Sequence, residues 1–293
     1  MNRAQTVLTA LVAAAEEDGF GAHGLHVRIG DETARHLWSP DDARDVHSVA
    51  KGVCVLACGI AADAVGFDVD APVARYLPDL ATGPGVDGVT TRELLGMRSG
   101  VDLPWSSTLL TDWPDLAAEF LSRPADGTTF QYSNASTYTA MRVLAAVVGD
   151  VVAFLGTRLF LPLLGRVPVW DRCPLGFVAA GEGLHLHLDE LAELGRFVRD
   201  GGVHGGRVLV SRRWIEALHT NWTEREAGPG YTRYALAGWG GPGAAWRLHG
   251  AYGQLLIFLG EAVVTITADD HVRADRMAER VVAELGRAGV DAR

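Results

Sequence analysis

The stretch from Val49 to Val65 constrains the fold most. It is apolar, rich in small residues and free of proline, a pattern that predicts a helix. It falls short of the ~18 to 20 apolar residues of a membrane span, and no other stretch reaches that length. Its apolar surface therefore has to be covered by the rest of the chain. With 293 residues, 48% hydrophobic and 21% charged, the chain is long enough for one large domain or two entwined ones with an ample core. Cys54 and Cys58 are four apart in this stretch, on one helix face, and read as buried packing thiols. With Cys173 they are too few for a disulfide framework.

Strand patterns lie near both ends. Leu25 to Ile29 pairs with Thr33 to Trp38 across Gly30-Asp31-Glu32, and Trp246 to Leu248, Leu255 to Leu259 and Ala262 to Thr267 follow near the other terminus. Helical patterns fill the middle at Thr91 to Met97, Asp115 to Leu121, Ala135 to Val148, Leu188 to Val198 and Arg212 to Leu218. A last helix spans Arg273 to Leu285. The expected class is α+β (an α/β sandwich): an antiparallel sheet from both chain ends, flanked by terminal helices, with a helical insert. The expected division is residues 1–45 and 236–293 for the sheet domain and 46–235 for the helical one, with the site at their junction.

The apolar run Val7 to Ala15 could pass for a signal ending at Ala13-Ala14-Ala15. Its basic region is thin, however, and Glu16, Glu17 and Asp18 follow at once. An amphipathic helix ending at Gly19, in a cytoplasmic enzyme, is the expectation. The net charge of −10 argues against a nucleic-acid partner, since nothing would neutralise a row of phosphates.

Three segments carry chemistry. Ser48-Val49-Ala50-Lys51 opens the apolar helix, and three-residue spacing puts the hydroxyl and the amine on one face. Serine needs a base within hydrogen-bond reach, and a desolvated lysine can be one. The helix start also offers unpaired N–H groups for a developing oxyanion; the bland alternative is a helix cap. Tyr132-Ser133-Asn134 precedes another helix: a tyrosine beside a lysine can relay a proton, and an asparagine can hold the lysine or a substrate amide. A turn capped by Asn134 would explain the same residues. In Leu248-His249-Gly250-Ala251-Tyr252-Gly253-Gln254, Gly250 permits close approach of a backbone or ligand, and the alternative is a plain hairpin turn.

Together these segments resemble the serine β-lactamase and penicillin-recognising family, in its class C-like esterase and carboxypeptidase branch. The order S-x-x-K, Y-x-N and a K-T-G-like strand carries the resemblance, and the segments Asp68 to Pro78 and Thr90 to Gly100 look like that branch's connecting stretches. The resemblance covers about residues 20 to 270. It implies a β-lactamase-like fold, Ser48 as nucleophile, Lys51 as general base and Tyr132 as proton relay to the leaving group. It also implies an oxyanion hole from the backbone N–H groups of Ser48 and Ala251, with Asn134, His249, Gly250 and Tyr252 toward the substrate. The third motif can be laid down in two registers. One puts Leu248 where the family has its lysine; the other makes His249 the replacement. In neither is there a lysine for a β-lactam carboxylate, which lowers the expectation of an antibiotic-destroying lactamase.

The implied reaction forms an acyl-enzyme on Ser48 from a small ester or amide and hydrolyses it. The alternative is a transacylase that passes the acyl group to an amine or alcohol in secondary-metabolite biosynthesis, and a further one is an inactive binding module. No cofactor, metal or membrane is implied, and the oligomeric state is open. His185-Leu186-His187-Leu188-Asp189 looks superficially like a metal-ligand run, but a strand running into a helix capped by Asp189 fits it better. Trp105, Trp113, Trp170 and Trp239 are expected in the core or pocket wall, His47 as a packing or supporting group, and Arg98 as a possible substrate contact.

Overall fold

A computed structural model describes residues 2–103, 113–224 and 231–291; Trp105 lies outside them. The chain opens with α1 (Arg3–Asp18), the hairpin β1 (Ala22–Ile29) and β2 (Glu32–Leu37), and a two-residue strand β3 (Arg44–Asp45). The helical part holds α2 (Ala50–Val65), α3 (Thr91–Leu95), α4 (Leu116–Ser122), α5 (Asn134–Val148), α6 (Val151–Leu155) and α7 (Leu161–Leu164). Then come β4 (His185–Leu186), α8 (Leu188–Arg199), β5 (Val203–His204), β6 (Arg207–Val208) and α9 (Arg212–Ala217). The chain closes with β7 (Thr223–Glu224), β8 (Arg233–Tyr234), β9 (Trp239–Gly240), β10 (Trp246–Gly250), β11 (Gln254–Leu259), β12 (Ala262–Ala268) and α10 (Ala274–Arg287).

The main sheet runs β2-β1-β12-β11-β10-β9-β8-β7, antiparallel throughout. It is the α+β, β-lactamase-like architecture the motifs imply. The sheet begins before residue 236, because β7 and β8 belong to it; strands of two residues are too short to show any alternation.

Side-chain alternation splits each central strand between two cores. Leu255 and Ile257 of β11 join Val7, Leu8 and Leu11 of α1 and Met277 and Val281 of α10. Leu256 and Phe258 join α2, α5 and α8 on the other face. The apolar segment of α1 is thus part of the core. The helical stretch His47–Val65, α2 with the turn before it, is long and apolar enough by composition to cross a membrane, longer than the apolar run alone suggests, but it is mostly buried inside the protein. Helix α2 also packs close to the sheet: a Cβ on Gly52 would stand 2.6 Å from Leu248 Cδ1. The Cys54 and Cys58 thiols are buried within it, and burial pushes Cys54 up to about 12 and Cys58 well above its usual value. They are packing groups, as expected.

Candidate active site

Ser48 sits in a single 3-10 turn, His47–Val49, that leads straight into α2, and neither the turn nor the helix has a side-chain cap. The hydroxyl instead accepts a hydrogen bond from Lys51 Nζ at 2.9 Å. Lys51 is 1% exposed, and its amine is surrounded by oxygen. It donates to Asn134 Oδ1 at 2.5 Å and to the Gly181 carbonyl at 3.4 Å, and it stands 4.9 Å from the centroid of the Tyr132 ring. Asn134 likewise does not cap α5; Ser133 holds that position, without a side-chain cap bond. For both Ser48 and Asn134 the cap alternative is therefore excluded by what the side chain holds instead.

Tyr132 is placed by aromatic packing. Its ring lies 5.7 Å from Tyr234 and 5.4 Å from Trp239, and Tyr234 also meets Phe130 at 5.4 Å. Tyr234 is fully buried, and burial holds its phenol well above the usual range. This wall fixes Tyr132 against the amine, so Trp239 is a pocket-wall residue. Trp170 is a core residue whose indole donates to the Glu182 carbonyl, and Trp113 is partly buried beside the same core. Arg98 is exposed and donates to Thr128 Oγ1 at 3.4 Å.

The third segment meets the turn that carries Ser48 through Gly250. A Cβ there would lie 2.2 Å from the Val46 carbonyl and 3.2 Å from His47 Cβ, a backbone approach that only glycine permits. Ala251 follows directly, and Tyr252, about half exposed, takes a left-handed backbone with φ 59°. The strand phase shows which side chains of this segment face α2. Leu248 faces α2 at Gly52. Its neighbours Arg247 and His249 point to the opposite face, where Arg247 binds Asp275 of α10 and His249 Nδ1 lies 3.9 Å from the same carboxylate. His249 is pushed down to about 3, first by burial and then by the Arg247 charge. The histidine expected toward the substrate is thus turned from the α2 face and held neutral. The α2-facing position belongs to Leu248.

Sequence reasoning missed the Gly181 carbonyl, because a backbone oxygen has no residue signature. The one available signal was the glycine itself. A Cβ there would lie 2.5 Å from Lys51 Nζ and 2.9 Å from Asn134 Oδ1. The His185 to Asp189 run disperses: His185 Nε2 lies 3.0 Å from Asp171 Oδ2, His187 Nδ1 lies 2.6 Å from the Asp41 carbonyl, and Asp189 binds Arg35. Helix α8 is capped by a box between His187 and Glu190, correcting the expected role of Asp189. Among the described residues no cluster has the make-up of a metal site.

Residues 5–284 match the family model described as Beta-lactamase. The 6-aminohexanoate-dimer hydrolase of Paenarthrobacter ureafaciens is 31% identical over 209 residues, 64% of this chain and 53% of that protein. The chain thus spans about half the length of that curated relative. Among solved structures, SurE with D-Leu superposes with a TM-score of 0.76 at 20% identity, covering 99% of this chain and 76% of that one. The D-amino acid amidase from Ochrobactrum anthropi SV3, complexed with L-phenylalanine amide, superposes with a TM-score of 0.73 at 14% identity, covering 98% of this chain and 100% of that one. At such identities the superpositions speak for the fold.

Proposed function

The chain belongs to the beta-lactamase family, and from that premise we propose that it is a serine hydrolase acting on small esters or amides through an acyl-enzyme on Ser48. The observation that carries this reading is the 2.9 Å hydrogen bond from Lys51 Nζ to Ser48 Oγ inside an otherwise apolar helix packing. Burying an amine in such surroundings is costly unless its donors are matched; Asn134 Oδ1 and the Gly181 carbonyl take the two N–H groups of the neutral amine, which leaves its lone pair for the Ser48 proton.

In the proposed reaction Ser48 Oγ attacks the carbonyl carbon and its proton passes to the amine of Lys51. Asn134 and the Gly181 carbonyl keep that amine within reach of the hydroxyl. The developing oxyanion rests on the N–H groups of Ser48 and Ala251. Tyr132, packed against the amine, relays the proton to the departing alcohol or amine. Water then attacks the acyl-enzyme and releases the acid. Gly250 and Tyr252 border the substrate with Asn134.

With Leu248 at the α2-facing position of β10, the motif supplies no cation for a substrate carboxylate, which favours neutral esters and amides over β-lactams. The hydrolase and amidase named among the similar proteins support water as the acceptor. A cytoplasmic setting belongs to the same reading, supported by the use of the Val7 to Ala15 segment as a core-packing helix.

A chromogenic ester should give a rapid release of about one product per enzyme before steady turnover, absent in Ser48→Ala. Undiminished turnover in Ser48→Ala would sink the proposal.

A further inference from the structure

Asp45, outside every motif, touches both loops that build the site. It lies in β3, where it pairs with His185 of β4. Its Oδ1 accepts from the His47 backbone N–H at 2.7 Å and from the Gly183 N–H at 2.8 Å. Its Oδ2 stands 3.2 Å from His47 Nδ1. His47 immediately precedes the nucleophile, and Gly183 is two residues beyond the carbonyl that receives the Lys51 amine. One carboxylate thus ties the nucleophile turn to the loop that positions its base.

The second half of the arrangement is backbone strain. His47 has φ 47° and Tyr252 has φ 59°, both left-handed. Such conformations are unfavourable for side-chain-bearing residues and persist where the surroundings hold them. These two residues flank Ser48 and Ala251, whose N–H groups are the proposed oxyanion donors. They also touch each other, with ring centroids 5.1 Å apart. The orientation of the Ser48 N–H follows from the His47 backbone, because the two share a peptide plane.

We infer that Asp45, His47 and Tyr252 are positioning residues that form a clamp on the oxyanion hole. Asp45 fixes both the backbone and the ring of His47. The His47 ring braces the Tyr252 turn, so that the Ser48 and Ala251 N–H groups stay aimed at one point. The inference rests on the proposed role of Ser48.

The test uses His47→Asn, which tolerates the left-handed backbone but removes the ring, together with Asp45→Asn and Tyr252→Gly. Each full-length variant is assayed for kcat and KM on a chromogenic ester and for its Kd with an aryl boronic acid, whose tetrahedral adduct on serine places an oxygen in the oxyanion hole. Melting temperature reports folding. Losing one oxyanion donor costs roughly 10²- to 10³-fold in kcat, so misaiming one should cost about 10- to 100-fold. His47→Asn and Asp45→Asn should show that fall in kcat with KM within about 3-fold, and boronate affinity should fall by a similar factor. If the His47 or Asp45 variant fails to fold, Tyr252→Gly at its half-exposed position carries the test, with a loss of about 10-fold expected in both readouts.

Unchanged kcat in the folded variants, or a fall in kcat with boronate affinity intact, would overturn the clamp. Fluorophosphonate labelling separates the two levels. Labelled Ser48 with indifferent variants sinks the clamp alone, whereas an unlabelled Ser48 in the parent sinks the proposed function and the clamp with it.

Discussion

Lys51 and His249 are both basic side chains close to the contact between α2 and β10, and the protein treats them oppositely. Lys51 faces the proposed nucleophile and is ringed by the Ser48 hydroxyl, the Asn134 amide oxygen and the Gly181 carbonyl. His249 sits on the other face of β10 beside the Arg247 guanidinium, where burial and that charge drive it neutral. On the proposed reading a buried basic group can act as a base when oxygens surround it and a hydroxyl lies within reach; proximity along the sequence to a recognisable motif is not enough. In the proposed reaction the third motif accordingly contributes glycine and a backbone N–H rather than a cation.

The largest expected effect breaks the Lys51 side of this contrast. Lys51→Ala should lower kcat on a chromogenic ester by about 10³-fold or more, and combining it with Ser48→Ala should cost little further, because the two act as a unit. Independent, multiplying losses would contradict that unit. Gly181→Ala should come next. Its Cβ would fall 2.5 Å from the amine, so the amine must move off the hydroxyl, and kcat should drop about 10- to 100-fold with the fold intact by circular dichroism. Parent-like kcat would mean that the carbonyl does not set the position of the amine.

The smallest effect on activity is expected from His249→Gln, within about 3-fold at neutral pH. Its signature lies in stability. An unfolded histidine titrates near 6.5, whereas the folded one is pushed down to about 3. Above pH 6.5 neither state is protonated and the group costs nothing. As pH falls from 6.5 towards 3 only the unfolded chain takes up the proton, so stability is lost. The melting temperature of His249→Gln should therefore decline less steeply than the parent's over that window. His26, pushed down to about 4 by burial, leaves part of the slope in place. An identical slope, or a collapse of turnover at neutral pH, would remove the distinction between the two bases.

What the sequence made legible was local. The Ser48–Lys51 spacing fixes two side chains on one helix turn before any tertiary contact forms, and α2, α5, α8 and α10 lie close to where periodicity predicts them. Tyr132 and Asn134 could be nominated from the Y-x-N pattern at the start of α5, but their meeting with Lys51 depends on the packing of α5 beside α2. The phase of β10 was undecidable from alternation alone. It is settled by Leu248 pairing with Leu256 and filling the space over Gly52. Asp45 and Gly181 were invisible for a different reason: they act by binding backbone N–H groups or by lending a backbone carbonyl, and neither use demands a motif.

The most direct measurement is the mass of the intact protein after incubation with a fluorophosphonate, followed by peptide mapping. A single adduct on Ser48, lost in Ser48→Ala and strongly slowed in Lys51→Ala, is the expected result. An adduct on another residue, or labelling as fast without the Lys51 amine as with it, would contradict the claim that this hydroxyl and this amine form one nucleophilic unit.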